Sequence, residues 1–138
     1  MKTITSITRA DMADIALGGA FLGTGGGGDP YIGRLMAEQA IDLHGPVPVL
    51  DVDSLEDDAL VVPVCMMGAP TVMLEKLPHG DEAINALRSL EAVLGRKADA
   101  VFCIEAGGLN STIPIAVAAT AGLPIVDGDG MGRAFPEL

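Results

Sequence analysis

Asp99 to Arg133 reads DAVFCIEAGGLNSTIPIAVAATAGLPIVDGDGMGR, and this stretch decides the fold. Its first part, Asp99 to Glu105, holds the apolar run Val101-Phe102-Cys103-Ile104, the pattern of a central strand covered on both faces. The run meets Gly107-Gly108. Asn110 or Ser111 can then cap an almost wholly apolar helix over Thr112 to Ala121, where Pro114 is tolerated because its missing N–H falls in the first turn. A helix that apolar is buried. Gly122-Leu123-Pro124 turns the chain into another strand, Ile125-Val126-Asp127, which opens onto Gly128-Asp129-Gly130-Met131-Gly132-Arg133. Two strands joined by a helix of this length pair in parallel through a right-handed crossover.

Upstream, the same alternation continues. Thr8 can cap a helix with Met12, Ile15, Ala16 and Gly19 on one face, ending at the glycines from Gly23 to Gly28. Asp29-Pro30 reads as an N-cap followed by proline at the first helical position, with Ile32, Leu35, Met36, Ala40 and Leu43 as the apolar face and His44-Gly45-Pro46 as the stop. Val47 to Val52 is a short strand that Pro48 confines to an edge or to a strand start. Leu60 to Met67 is a stronger apolar run, and Pro63 places it at an edge or a bulge. Asp81 caps a helix whose Ile84, Leu87, Leu90 and Leu94 recur at helical period until Gly95. The order specifies an α/β domain over residues 1–138, with a mostly parallel sheet, flanking helices and Gly-rich loops at strand ends.

Composition agrees. Apolar residues make up 49% of the 138 and aromatics 3%, so the core is aliphatic and packed around thin glycine surfaces. With 8 basic and 19 acidic residues the net charge is -11, which argues against nucleic-acid phosphates and anionic lipid as partners. No apolar leader begins at Met1 and no run approaches the roughly 20 apolar residues of a membrane helix, so a cytoplasmic location is expected. Cys65 and Cys103 sit in apolar runs and are expected to be reduced and buried, in preference to binding a soft metal. His44 and His79, each before a break, read as surface turn residues. Met66, Met67 and Met73 read as core fillers or pocket walls.

Ligands of open parallel sheets sit beyond the carboxyl ends of the strands. Two loops there are acidic. Glu105 with Gly107, Gly108 and Asn110 follows one strand, while Asp127, Asp129 and Arg133 follow the next. Adjacent strands would gather three carboxylates, which can raise one another's pKa for acid–base work or bind a divalent ion through oxygen. The alternative is structural: Asp and Gly are ordinary turn residues, and Glu105 can cap a helix or pair with Arg133. The loop Gly25-Gly26-Gly27-Gly28 also has two readings. Its bare N–H groups before a helix can hold an anion, or its glycines can let two helices pack closely. It follows a helix and lacks Lys-Ser or Lys-Thr, so neither a dinucleotide fingerprint nor a P-loop is present.

Three runs carry a resemblance: Gly18-Gly19-Ala20-Phe21-Leu22-Gly23-Thr24-Gly25-Gly26-Gly27-Gly28-Asp29-Pro30-Tyr31, Glu105-Ala106-Gly107-Gly108-Leu109-Asn110, and Asp127-Gly128-Asp129-Gly130-Met131-Gly132-Arg133-Ala134-Phe135-Pro136-Glu137. Together they resemble the N-terminal domain of the S-methyl thiohydantoin desulfurase family, whose members are often found beside hydantoinases and oxoprolinases. The resemblance implies the N-terminal part of a longer two-domain protein, with a β-rich C-terminal domain that this chain lacks. It implies hydrolytic removal of sulfur, as sulfide or methanethiol, from a thiohydantoin-type small molecule. On that implication the base is Glu105 or Asp127, Asp129 binds substrate or metal, and Arg133 stabilises the anion. Ring and oxyanion contacts fall to Gly25 to Gly28, Gly107, Gly108 and Asn110. A single divalent metal such as zinc is the implied cofactor. The competing readings are a non-catalytic accessory or assembly domain for a hydantoinase- or oxoprolinase-type enzyme and an inactive fragment; besides a small-molecule substrate, the expected partners are a second copy of the chain or an enzyme of that type.

Overall fold

Ser6 and Ile7 form the first strand of the computed structural model, β1, a two-residue element without a signal in the sequence. The structure describes residues 4–69 and 71–135; residues 1–3 and the Pro136-Glu137 end of the last quoted run lie outside the described residues. The Asp11 carboxylate accepts the backbone N–H of Thr8 at 2.8 Å and its hydroxyl at 2.6 Å, closing one turn before helix α1 (Met12–Gly23). Met12, Ala16 and Gly19 are buried on α1, as their spacing predicts. Thr24, left-handed at φ 50°, ends that helix. Asp29 starts the next, α2 (Pro30–His44), by accepting the Tyr31 N–H at 2.8 Å.

Strands β2 (Val47–Leu50), β3 (Val61–Val64), β4 (Ala100–Cys103) and β5 (Ile125–Asp129) complete a five-stranded sheet in the order β1-β2-β5-β4-β3. Only the β1–β2 pair is antiparallel. Helices α3 (Thr71–Glu75), α4 (Glu82–Leu94) and α5 (Ile113–Ala121) fill the connections; α3, like β1, has no counterpart in the sequence reading. The domain is α/β with a mostly parallel sheet and flanking helices. β4 is interior, and Ala100 and Val101 on it are fully buried. The crossovers β3–α4–β4 and β4–α5–β5 step the same way along the sheet, so right-handed connections put both helices on one face. α5 accordingly touches β2, β3, β4 and β5 as well as α2 and α4. Burying Ile113, Ile115 and Val117 there contributes roughly 1.5–3 kcal/mol each.

Pro63 lies in β3, which pairs with β4 alone, so the edge expectation holds. β2 is not an edge, because β1 covers its outer side. Its ladder to β5 begins at Val49 opposite Ile125, one residue past Pro48, so the strand-start reading of that proline is the correct one. Between β4 and β5 the register slips: Val101 faces Ile125, but Cys103 faces Asp129.

Two helices bury only part of the face their apolar residues mark: Ile32, Met36 and Ala40 on α2 and Ile84 and Leu87 on α4 meet the core. On α2, Leu35 and Leu43 are 44% and 71% exposed, and the buried stripe is Gly33, Ala37, Ala40 and Ile41. Closeness to the start of α5 explains it: a Cβ on Gly33 would stand 2.0 Å from the Thr112 hydroxyl oxygen. On α4, Leu90 and Leu94 are 41% and 51% exposed, while Leu87 and Glu91 are buried. Glu91 tolerates burial because its carboxylate is saturated, accepting Arg88 at 2.8 Å, Lys97 at 2.9 Å and the Ala98 N–H at 2.9 Å. These bonds, Arg88 first, hold its pKa down to about 2.

Candidate functional site

Beyond the end of β4 the backbone turns back on itself around one thiol. Cys103 Sγ donates to the carbonyls of Glu105 and Asn110, and burial pushes its pKa up to about 12, with the charges of Asp129 and Glu105 adding to the effect and the Glu105 bond opposing it. Asn110 is the hub of this turn. Its Nδ2 donates to Glu105 Oε1 at 2.8 Å, and its Oδ1 accepts the Met66 N–H at 2.8 Å, so one buried amide ties the segment after β3 to the segment after β4. These two partners, an acceptor-only carboxylate and a donor N–H, fix which way the amide faces. Asp129 makes the corresponding tie to β5. Its Oδ2 accepts the Ala106 N–H at 2.8 Å and its Oδ1 the Gly132 N–H at 2.6 Å.

Glu105, Asn110 and Asp129 are thus brought together at the strand ends, beside Cys103 and Cys65. Asp127 is exposed on β5, two residues before Asp129. Arg133 donates to the Ala134 carbonyl at 2.7 Å and lies over the Phe135 ring, 4.0 Å from its centroid; among the described residues it makes no ion pair with Glu105. Cys65 corrects the sequence reading. It is exposed at the end of β3 instead of buried, and its pKa is raised by partial desolvation and then by the Glu105 charge. Both thiols are free, as expected. Met67 is likewise no core filler, being 96% exposed, whereas Met66 and Met73 pack against the core. Residues just past a strand end have no periodicity to orient them, so no sequence signal marked Cys65 or Met67.

The tetraglycine loop meets the Gly107-Gly108 loop backbone to backbone. Gly27 O accepts the N–H groups of Leu109 at 2.6 Å and Asn110 at 3.2 Å. A Cβ on Gly27, itself at φ +75°, would lie 2.7 Å from Gly107 Cα, and one on Gly108 would lie 2.1 Å from Gly28 O. Close packing across glycine is therefore realised, between two loops and at Gly19, whose Cβ would reach Gly107 O at 2.9 Å. Gly25, Gly26, Gly28 and Gly108 also line an open hollow of about 440 Å³, with Asp29 and Thr71. Gly107, packed on Gly27, also stands beside the cluster, since its own Cβ would lie 3.6 Å from Glu105 Oε1. Among the described residues no group of three or more His, Cys, Asp or Glu is arranged to hold a metal ion, so the donor set does not fit the implied divalent cofactor.

The family model described as S-Me-THD-like, N-terminal domain, matches residues 10–138. The chain is also similar to a protein from Chromobacterium violaceum, solved by X-ray crystallography in a structural genomics programme, at 34% sequence identity and a TM-score of 0.78. The alignment covers 96% of this chain and 37% of that one, so the chain spans little more than a third of the solved protein. No curated protein matches it. No described helix is long and apolar enough to cross a membrane.

Proposed function

Because the chain belongs to the S-Me-THD-like family, as its N-terminal domain, we propose that its strand-end cluster takes part in hydrolytic removal of sulfur from a thiohydantoin-type small molecule. The observation that carries this reading is the half-buried Glu105 carboxylate, oriented by Asn110 at 2.8 Å beside two glycine loops packed against each other. In the proposed reaction Glu105 takes a proton from water, and the water oxygen attacks the ring carbon bearing sulfur. The tetrahedral intermediate collapses by breaking the carbon–sulfur bond. The leaving sulfur receives the proton from Glu105 and the ring keeps the oxygen as a carbonyl; the hydroxyl proton of the intermediate passes to the ring nitrogen when methanethiol leaves an S-methyl ring, and to the sulfur, completing hydrogen sulfide, when a thiocarbonyl is the substrate. Asn110, buried and hydrogen-bonded at both ends of its amide, positions Glu105. Asp129 positions the loop, and the exposed Arg133 and the hollow beside Gly25 and Gly26 supply donors for the developing anion. The proposal runs without a metal.

A second reading, an accessory domain for a hydantoinase- or oxoprolinase-type partner, is favoured by one observation: both Asp129 oxygens are occupied by backbone N–H groups of this chain. One experiment separates the two. Release of sulfide from a thiohydantoin and of methanethiol from its S-methyl derivative is measured for the chain and for a full-length family member containing it, each with and without Glu105→Gln. Gln keeps an acceptor for Asn110, so the fold is retained while proton transfer is lost. Loss of release of about a hundredfold or more supports Glu105 as base; equal release by both forms removes it, and release by neither shifts the assignment to the accessory role.

A further inference from the structure

The two histidines of this chain, read from sequence as unrelated turn residues, line one groove. It runs between α2 and the N-terminal end of α4, with α5 as its floor, and has a volume of about 330 Å³. The cause lies in α5. All its residues but Thr120 are apolar, the sheet and α2 cover most of them, and α4 packs at an offset that leaves Ala116 half-buried and Thr120 exposed. Met36 and Leu43 from α2, Met66 from the strand end and Ile84 from α4 form the walls. Polar groups are confined to Gln39, Thr120, His44, His79 and the acidic start of α4. A volume in this range, apolar walls and a few polar groups are the features of a small-molecule site, and the methionines can repack around differing shapes.

The groove meets the cluster described above at one residue. Met66 belongs to both: it lines the groove, and its N–H is held by Asn110, the residue that orients Glu105. We propose, on the premise that the strand-end cluster handles a thiohydantoin ring, that this groove holds the ring's hydrocarbon substituent. The ligand class is a ring bearing an uncharged side chain of leucine, methionine or phenylalanine size. An anionic substituent is disfavoured, because Asp81 and Glu82 stand at the mouth of the groove in a chain of net charge -11. The floor at Ala116 sets the depth and Met66 the junction.

The test uses hydantoins, which carry oxygen in place of sulfur and so report binding without turnover. His44 and His79 are the chain's only histidines. Their imidazole proton resonances therefore form a two-signal reporter of the groove, assigned by His44→Gln. Titration with isobutyl-substituted hydantoin is expected to shift both signals and to saturate at least about tenfold lower in concentration than unsubstituted hydantoin. Ala116→Leu, which fills the floor, should weaken the substituted ligand about tenfold and leave the unsubstituted one unchanged; Ala83→Phe, which fills the groove from α4, serves if the first variant melts early. Equal affinity for the two hydantoins, or saturable binding that moves neither imidazole, overturns the groove assignment. Sulfide release decides the desulfurase reading separately: side-chain-selective binding without turnover would leave the groove standing and remove the reaction.

Discussion

Gly18 and Gly33 occupy helix interiors and look equivalent in sequence, yet alanine should act oppositely at the two. Around a Cβ on Gly18 nothing lies within 4 Å, so Gly18→Ala should stabilise by the helix-propensity difference, roughly 0.5–1 kcal/mol. A Cβ on Gly33 would stand 2.0 Å from Thr112 Oγ1, 3.0 Å from Leu109 Cδ1 and 3.2 Å from Leu109 Cα. Real contacts do not fall below 3.0 Å, so the start of α5 must move away by about 1 Å at a side chain that is fully buried. Overpacking of that kind costs about 3 kcal/mol, and subtracting the propensity gain leaves a net loss of about 2 kcal/mol. For a domain of this size that is a fall of roughly 6–10 °C in Tm, against a rise of roughly 2–5 °C for Gly18→Ala. Thermal melts followed by circular dichroism read both. Thr112→Ala removes the oxygen in the way, so the double variant with Gly33→Ala should be more stable than additivity predicts by about 1 kcal/mol, the Leu109 contacts limiting the rescue. A Gly33→Ala protein that melts at or above the parent, or an additive cycle, would refute the account of why α2 turns its small residues inward.

Asp129→Asn leaves one of the Ala106 and Gly132 N–H groups facing an amide NH2, and should cost about 1–3 kcal/mol in urea unfolding; an unchanged midpoint would show that these bonds do not hold the loop. Glu91 has a folded pKa of about 2 against an ordinary 4.5, so its contribution is fully present above pH 4.5 and is lost as pH falls towards 2. Glu91→Gln should therefore lower Tm at neutral pH and flatten its decline over that acid window, and parallel Tm profiles for the two proteins would contradict this. Alkylation of the native chain at pH 8, read by mass spectrometry, should modify Cys65 slowly, its pKa being raised above 9.0, and leave Cys103, at about 12, untouched until the protein unfolds. A doubly modified native protein counts against that order.

The crossover region was legible because its signals are long and agree with one another. Val101 to Ile104, the apolar helix ending at Gly122 and the strand from Ile125 each have the length and composition of one element. β1 was not legible because two residues carry no period, and Ser6-Ile7 is a strand only because Pro48 and Val47 lie opposite. The faces of α2 and α4 were legible in part, since Leu35, Leu43, Leu90 and Leu94 stay exposed, and each helix departs for its own reason. Gly33 and Ala37 record a closer approach, and Glu91 is buried by three hydrogen bonds that no hydropathy pattern contains. At the site, strand-end logic reached Glu105, Asn110 and Asp129. It did not reach Cys65 or the groove, because both depend on how neighbouring elements are offset.

The slip in the β4–β5 register selects between two carboxylates. Continued from Val101 opposite Ile125, a regular ladder would set Asp127 against Cys103; the extra two residues set Asp129 there instead, within reach of Ala106. Because side chains alternate with a period of two, an offset of two leaves every residue on its own face of the sheet. Removing Asp127 and Gly128 together would consequently present a chemically identical carboxylate at the same place, whereas removing Asp127 alone would set Gly128 opposite Cys103 and turn Asp129 to the other face. Which residue is removed from this strand therefore matters as much as how many.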